Sequence, residues 1–410
     1  MVNYVIIGNS TAAIGAVEGI RQVDKKGGIA LISNETHHIY SRPLISYLLS
    51  GKATQESMRY RGHSFYEDNG CTLESGVTVT GIDTDARLVI LEDGRKIRYD
   101  KLLVATGSLP FVPAFEGLDT VPDKHGFMCL DDALRLGEAL SKDKRVLIMG
   151  AGLIGLKCAE GIFGKVAHVT VVDLAPRILS SILDEEGAAL VQSHLEGKGI
   201  EFKLANSARR FEQNTAVLND NSRMDFDLLV LAVGVRPNTA LLAPIAQVDR
   251  GIVINEKSET SVPDVYAAGD CTQTLDVSSG QSKVMALLPN AYMQGHCAGV
   301  NMAGGEASFD KVIPMNALGF FGLHIITAGS YEGEVYARSE GDNYKRLFYG
   351  DNRLRGYILI GNVEKAGIYT SLIRERTALD SIDFKLICEK PGLMAFTKEE
   401  RMAKLGGSVR

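Results

Sequence analysis

The sequence contains no apolar run long enough to cross a bilayer and no excess of basic residues. Its most apolar stretch, residues 317–328, includes His324 and is too short for a membrane span. Fifty acidic residues against 44 basic ones give a formal net charge of -6, which argues against a nucleic-acid-binding surface. The opening MVNYVIIGNS lacks the charged segment and cleavage site of a secretory signal. We therefore expect a cytoplasmic protein that binds neither nucleic acid nor membrane.

The sequence also lacks the cysteine patterns of disulfide frameworks and zinc sites. Its six cysteines are scattered, with no C-x-x-C pair among them, which is typical of reduced thiols in a cytoplasmic protein. His37 and His38 have no carboxylate or cysteine at metal-ligand spacing, so no metal site is predicted.

The length of 410 residues is sufficient for two or three domains, and the first 35 residues predict a strand–helix–strand unit. An apolar strand at 4–7 precedes a helix at 12–23 and a second strand at 29–33. A pyrophosphate binds where free backbone N–H groups converge at a helix N-terminus, at the motif G-x-G-x-x-G. Here the three motif positions are occupied by Gly8, Ser10 and Ala13, with Thr11 and Ala12 between the last two.

This first motif has two interpretations. Ser10 and Ala13 are small enough to leave room for a dinucleotide. Glu35, 22 residues after Ala13, is then expected to hold the ribose hydroxyls. The alternative is a plain strand-to-helix turn that binds no ligand.

The same plan recurs from residue 145, where a strand, a helix to about residue 163 and a strand ending at Asp173 follow one another. This second unit contains the complete motif, formed by Gly150, Gly152, Leu153, Ile154 and Gly155. Asp173 lies 18 residues after Gly155, and its carboxylate favours the free 2′-hydroxyl of NADH over the 2′-phosphate of NADPH. Arg177 could weaken that preference, or it could be a solvated surface residue. Two dinucleotide motifs in one chain are more specific than either alone.

Seven motifs in order resemble those of the pyridine nucleotide-disulfide oxidoreductase superfamily of flavoproteins. They are GNSTAA with Glu35, YSRP at 40–43, LLVATGSLP at 102–110, GAGLIG with Asp173, LAVGVRPN at 231–238, VYAAGDC at 265–271 and PNAYMQG at 289–295. Within the superfamily, the chain is most similar to the branch of NADH:rubredoxin oxidoreductases and nitrite-reductase-like enzymes.

The resemblance implies FAD in the first motif and NAD(P)H, preferably NADH, in the second. It also implies that further residues contribute to cofactor binding, namely Arg42, Pro43, Ala105, Thr106, Gly107, Gly234, Gly269, Asp270, Pro289 and Asn290. Arg42 and Pro43 would line the FAD pyrophosphate and flavin region, and Asp270 would bond the ribitol. The implied fold class is α/β, with two Rossmann-like three-layer domains and a C-terminal α+β domain.

The expected boundaries are 1–112 with 238–312 for the FAD-binding domain, 113–237 for the NAD(H)-binding domain and 313–410 for the C-terminal dimerisation or partner domain. In the C-terminal region, residues 343–361 alternate like an antiparallel hairpin, and an amphipathic helix follows. The implied activity is hydride transfer between nicotinamide and flavin N5, with onward electron transfer to a redox protein such as an iron-sulfur protein. A homodimer or a hetero-oligomer is expected. One alternative is a subunit of a multi-subunit aldehyde or 2-oxo-acid oxidoreductase; another is a non-catalytic flavin-bearing binding or signalling protein.

The sequence departs from the superfamily pattern around the flavin. It has neither the C-x4-C of the disulfide reductases nor the single redox cysteine of other members, so no redox-active disulfide is expected. Tyr47 stands where relatives often have a lysine, and Lys157 stands where they usually have a glutamate. We therefore take Tyr47 and Lys157 as candidate catalytic residues, with Lys157 supplying a cation that raises the flavin reduction potential. The alternative is that Lys157 extends from a helix face into water.

Overall fold

The computed structural model describes residues 2–405, with side chains up to residue 402, and divides into two compact units. The first unit comprises the chain up to residue 180 together with 196–274 and 282–310. The second comprises 181–195, 275–281 and the chain from 311 onward. Residues 406–410 of the predicted C-terminal domain lie outside the described residues, and the three-domain boundaries stay a prediction.

Helices form where apolar residues recur at helical spacing and glycine or proline marks the ends. In chain order they are α1 (Thr11–Val23), α2 (Ile45–Ser50), α3 (Phe65–Asp68), α4 (Leu130–Ala139), α5 (Leu153–Ile162), α6 (Glu185–Glu196), α7 (Leu288–Met302), α8 (Ala366–Arg374), α9 (Phe384–Glu389) and α10 (Lys398–Leu405). Short 3-10 turns occur at Arg42–Leu44, Leu118–Thr120, Leu379–Ser381 and Leu393–Ala395. Between residues 2 and 405, none of the helices has both the length and the apolar character that a bilayer crossing requires.

Strands form where short runs of β-branched and other apolar residues end at turn residues. Those before the second dinucleotide motif are β1 (Asn3–Ile7), β2 (Gly28–Ser33), β3 (Cys71–Ser75), β4 (Val79–Asp83), β5 (Leu88–Leu91), β6 (Lys96–Arg98), β7 (Lys101–Val104), β8 (Ser108–Pro110), β9 (Lys124–His125) and β10 (Arg145–Met149).

The strands that follow continue the numbering to the C-terminal sheet. They are β11 (His168–Val172), β12 (Ile200–Lys203), β13 (Ala208–Glu212), β14 (Thr215–Leu218), β15 (Arg223–Asp225), β16 (Leu228–Leu231), β17 (Val235–Pro237), β18 (Ile252–Val253), β19 (Val265–Ala267), β20 (Thr272–Asp276), β21 (Gln281–Val284), β22 (Met315–Phe320), β23 (Leu323–Gly329), β24 (Glu334–Glu340), β25 (Asn343–Gly350) and β26 (Arg353–Ile360).

The first parallel sheet has the strand order β19-β7-β1-β2-β3. Its central strand β1 is flanked in register, with Ile7 beside Ile32 of β2 and Val104 of β7. The strands are apolar along most of their length because both faces of a parallel sheet are covered. The predicted strand–helix–strand unit is confirmed, and β1 ends immediately before Gly8.

The second parallel sheet repeats this plan with the order β12-β11-β10-β16-β9. Met149 at the end of β10 lies beside Val172 of β11 and Leu231 of β16. The predicted duplication is therefore confirmed at the level of strand order. The carboxyl end of β10 leads directly into Gly150.

The second compact unit contains an antiparallel sheet with the order β22-β23-β26-β25-β24. The predicted hairpin is formed by β25 and β26, which pair antiparallel. Helix α8 packs on it through Tyr369 and Leu372, which are 0% and 1% exposed. The Tyr357 hydroxyl of β26 lies 2.7 Å from the Thr370 hydroxyl of α8, which satisfies both buried polar groups.

Helices α1 and α7 pack backbone to backbone through two matching G-x-x-x-G segments. A Cβ atom added at Gly15 or Gly19 of α1 would lie within 3.0 Å of a carbonyl oxygen of α7. The same holds for Gly295 and Gly299 against carbonyl oxygens of α1. Only glycine permits this approach, because a side chain at any of the four positions would push the helices apart.

We expect Gly295→Ala to destabilise the protein by about 1–3 kcal/mol, the usual cost of overpacking a close contact. The added methyl group would meet the carbonyl oxygen of Ala12, which is backbone and cannot rotate away. The measurement is thermal or chemical unfolding of the purified protein. Gly62→Ala is the matched control, because a Cβ atom there meets nothing within 4 Å. Equal stability of the two variants would contradict the packing argument.

Candidate functional site

The first motif forms a tight loop between β1 and α1. The Gly8 N–H donates to the carbonyl oxygen of Ile32 at 2.8 Å, and the Ala105 N–H donates to Ile7 at 2.8 Å. Gly8 has φ +123°, and a Cβ atom there would lie within 3.0 Å of the Ala105 oxygen. The loop therefore requires glycine at residue 8, and it brings Gly8 and Ala105 into contact.

The amino end of α1 is arranged to accept an anion. Ser10 is the N-cap residue but its side chain makes no capping bond, and the described first turn of α1 holds no acidic side chain. Thr11, Ala12 and Ala13, predicted as cofactor-binding residues, form that turn and are buried. Backbone N–H groups and the helix dipole at such an end favour a phosphate group.

The second motif has the same pair of backbone hydrogen bonds as the first. The Gly150 N–H donates to Val172 at 2.7 Å, and the Ala232 N–H donates to Met149 at 2.8 Å. Gly150 has φ +113°, and a Cβ atom there would lie within 3.0 Å of the Ala232 oxygen. A Cβ atom at Gly155 would clash in the same way with the oxygen of Gly150, so the third glycine lets helix α5 pack onto its strand.

Gly152 is the exception among the three motif glycines. A Cβ atom there would meet no described atom within 4 Å, and its φ is -81°. The fold therefore does not need glycine at residue 152. The space that its missing side chain leaves, at the amino end of α5 beside Leu153 and Ile154, fits a closely approaching pyrophosphate.

Asp173 follows β11 and braces the second motif. One carboxylate oxygen accepts the Ala151 N–H at 2.6 Å, and the other accepts the Ala175 N–H at 2.7 Å. The residue predicted to hold a ribose thus also fixes the loop between Gly150 and Gly152. Each carboxylate oxygen can accept a further hydrogen bond. Arg177 donates to the carbonyl oxygen of Ser180 at 3.3 Å.

A polar network joins the predicted residues of the first motif. The Arg42 guanidinium forms an ion pair with Glu35, and its Nε lies 3.5 Å from the Ser10 hydroxyl. The Tyr40 hydroxyl donates to Glu35 at 2.7 Å and accepts the Leu130 N–H at 2.9 Å. Sequence reasoning singled out Glu35, Arg42 and Ser10 but gave no role to Tyr40. Arg42 stands beside Pro43, the second residue of a 3-10 turn.

Asp270 and Gly269 lie at the carboxyl end of β19 and join the same neighbourhood. Burial raises the pKa of the Asp270 carboxyl, while the Arg42 guanidinium and the Ser108 hydroxyl oppose that shift. Gly269 has φ +84°, and a Cβ atom there would touch Ala12 at 3.3 Å. The structure therefore brings Arg42, Asp270 and the start of α1 together.

The other predicted cofactor residues lie on adjoining segments. Pro289 is in the first turn of α7, and Asn290 beside it is 3% exposed. The Thr106 hydroxyl donates to the carbonyl oxygen of Asn238 at 2.7 Å, and Gly107 accepts the Asn238 N–H at 2.9 Å.

Strands β8 and β17 pair antiparallel. In the sequence, each of them lies between strands of the two parallel sheets. Gly234, which has φ +121°, accepts the Phe111 N–H at 2.9 Å where this ribbon begins. Gly234 comes two residues after Ala232, the residue against which Gly150 packs. It is thus connected to the second motif through the chain.

The two candidate catalytic residues are in contact. The Lys157 Nζ lies 4.9 Å from the centre of the Tyr47 ring and forms an ion pair with Glu160 one turn along α5. Helix α2 packs on α5 so closely that a Cβ atom at Gly161 would lie 2.9 Å from the Ser46 oxygen. The segment after Arg42 and the helix of the second motif therefore meet at Tyr47, Lys157 and Glu160. Glu160 was not identified from the sequence.

The six cysteines are free thiols. Burial raises the pKa of each thiol, that of Cys71, Cys271 and Cys388 to about 11. A thiol with a raised pKa is a poor nucleophile and a poor redox centre at neutral pH. This is consistent with electron transfer that does not pass through a protein disulfide.

Comparison with known proteins agrees with this geometry. Residues 2–295 match the family described as pyridine nucleotide-disulphide oxidoreductase, and residues 314–377 match the rubredoxin NAD+ reductase C-terminal domain. The chain is 30% identical over 398 residues to subunit epsilon of the NADH-dependent phenylglyoxylate dehydrogenase of Aromatoleum evansii, covering 94% of each chain. It is 26% identical over 383 residues to the NADH-rubredoxin oxidoreductase of Clostridium acetobutylicum, covering 92% of this chain and 96% of that one.

Among solved structures, the chain is similar to the reductase in a covalent putidaredoxin reductase–putidaredoxin complex. The TM-score is 0.89 at 25% identity, and the match covers 99% of both chains.

We expect Gly152→Ala to weaken NADH binding about tenfold or more while leaving the stability unchanged. The methyl group would enter open space in the folded chain but would intrude on the pyrophosphate at the amino end of α5. Titration of the purified protein with NADH gives the dissociation constant, and FAD content should not change. Gly62→Ala again serves as the control. Unaltered NADH affinity in Gly152→Ala would contradict the placement of the NADH pyrophosphate at the second motif.

Proposed function

This chain belongs to the pyridine nucleotide-disulphide oxidoreductase family and is an FAD-dependent NADH oxidoreductase, and on that basis we propose which of its residues bind each cofactor and which lie beside the flavin. Bound FAD and NADH supply the hydride transfer between nicotinamide and flavin N5, while the protein supplies binding, orientation and electrostatics. The observation that supports this assignment most directly is that the same close approach of a glycine to an alanine oxygen occurs twice, between Gly8 and Ala105 and between Gly150 and Ala232.

The first motif would hold FAD. Its pyrophosphate would lie at the amino end of α1, where Ser10 and Arg42 meet. Glu35 would accept from the ribose hydroxyls, and its bonds to Arg42 and Tyr40 would keep the carboxylate oriented. Asp270 would accept from the ribitol chain beside Arg42.

The second motif would hold NADH. Gly152 would give the pyrophosphate room, and the Asp173 carboxylate would receive the ribose hydroxyls and repel a 2′-phosphate. Tyr47 and Lys157 would then lie beside the flavin, because Tyr47 follows the FAD-contacting segment and Lys157 is on the helix that starts at the NADH pyrophosphate. With that placement, the Lys157 ammonium would favour a reduced flavin of negative charge.

The electron acceptor would be an iron-sulfur redox protein. Support comes from the similarity to a putidaredoxin reductase and an NADH-rubredoxin oxidoreductase, and from the match of residues 314–377 to a rubredoxin reductase C-terminal domain. The raised thiol pKa values favour direct transfer from the flavin. We further propose the cytoplasm as the site of action, the three-domain division given by the sequence, and a homodimer or hetero-oligomer as the working form.

A second candidate function is that of the NAD-linked subunit of a larger 2-oxo-acid oxidoreductase. It is favoured by one relative, subunit epsilon of a phenylglyoxylate dehydrogenase, which aligns over 94% of both chains. Size-exclusion chromatography of the natively purified protein separates the two candidates. Co-elution of further subunits that carry iron-sulfur clusters supports the complex, and elution as a free flavoprotein supports the independent reductase.

We expect the purified holoprotein to be yellow and to be reduced by NADH, with NADPH binding at least about tenfold more weakly. The physical reason is the repulsion between the Asp173 carboxylate and a 2′-phosphate. Stopped-flow absorbance with each nucleotide measures both the rate and the apparent affinity. Mixing the reduced protein with purified rubredoxins and [2Fe–2S] ferredoxins then tests the acceptor class. A protein that binds no FAD, or that neither nucleotide reduces, would contradict the proposed function.

A further inference from the structure

The ion pair between Lys157 and Glu160 changes the electrostatic effect of the lysine on its surroundings. Both residues are on α5, three positions apart, and their side chains are only 20% and 13% exposed. Two opposite charges held together at low exposure have little net field at a distance. The paired Lys157 ammonium therefore has a weaker electrostatic effect on a distant group than an ammonium that acted alone would have.

Tyr47 makes a second contact with the Lys157 ammonium. Its ring lies 4.9 Å from the Lys157 Nζ, within the range of a cation–π contact, and it is on a different helix. The ammonium is thus fixed between a carboxylate of its own helix and an aromatic ring of α2. The close approach of Ser46 to Gly161 keeps the two helices in this register.

We propose that Glu160 is a positioning residue that offsets the charge of Lys157 beside the flavin, so that the two side chains set the reduction potential as a pair. The inference rests on the proposed placement of the flavin next to Tyr47 and Lys157. If it holds, removal of one member takes away the opposite charge that lies beside the other. A remaining carboxylate disfavours the reduced flavin, and a remaining ammonium favours it.

A purely structural role for the pair would give a different result. Ion pairs three residues apart on one helix contribute little to stability, and their loss changes folding in the same direction whichever partner is removed. An electrostatic role predicts shifts of opposite sign. The sign of the potential shift therefore distinguishes the two roles.

The experiment measures the midpoint potential of the flavin in the holoprotein, by equilibration with redox dyes at fixed pH and ionic strength. We expect Lys157→Met to lower the potential and Glu160→Gln to raise it. Each shift should correspond to about a tenfold change in the two-electron reduction equilibrium, or about 30 mV. The double variant should return close to the wild-type value. Lys157→Arg, which keeps the cation, should also stay close to it.

Matched controls come from the Arg145–Asp227 ion pair, in which Nε and Oδ2 are 3.0 Å apart. Arg145 is the first residue of β10, at the opposite end of that strand from Gly150, so Arg145→Met and Asp227→Asn remove similar charges away from the motif. Neither should change the potential.

Three results would overturn the inference. They are an unchanged potential in Glu160→Gln, a shift of the same sign in both single variants, and a double variant as displaced as either single one. If Glu160→Gln loses FAD, Glu160→Ser is measured in its place with the same expectation. A wild-type protein without flavin, or one that NADH does not reduce, would instead refute the proposed function, and this inference with it.

Discussion

The approach of α1 and α7 is the constraint on which the first dinucleotide motif depends. Four glycines, two on each helix, remove the side chains that would otherwise separate the two backbones. The same contact places Gly295 against Ala12, in the first turn of α1. Gly269, whose own Cβ position adjoins Ala12, donates its N–H to Gln294 of α7 at 2.9 Å. The amino end of α1 is therefore positioned by a segment about 280 residues away in the chain.

The two dinucleotide motifs share one backbone arrangement. In each, a positive-φ glycine fits under the oxygen of an alanine that follows a neighbouring strand, and the same pair of hydrogen bonds closes the loop. The side chains around this shared geometry differ. The first motif has an ion-paired glutamate with a tyrosine, whereas the second has an aspartate that bonds its own loop. Because the backbone is nearly the same, the two motifs differ mainly in these side chains.

Much of this arrangement could be predicted from the sequence because the motifs are local. Glycines at fixed offsets after an apolar strand report a backbone requirement, and that requirement is visible without knowledge of distant residues. The structure confirms both strand–helix–strand units, the hairpin of β25 and β26 and the helix after it. The bonds of Tyr40 to Glu35 and to the Leu130 N–H were not predicted, since the second joins residues 90 positions apart. The G-x-x-x-G spacings were readable in the sequence, but their pairing was not. Glu160 was not identified because its ion pair depends on the direction in which Lys157 extends.

The two hydrogen bonds of Asp173 have a consequence for attempts to redesign the coenzyme choice. A carboxylate that discriminates against a 2′-phosphate is the obvious residue to exchange when a variant that uses NADPH is wanted. Here the same oxygens accept the Ala151 and Ala175 amide N–H groups, so the exchange would also remove two backbone hydrogen bonds, one of them from the loop of the second motif. With NADH in the proposed position, a reversal of nucleotide selectivity would require a replacement that accepts both amide hydrogens and also accommodates the 2′-phosphate.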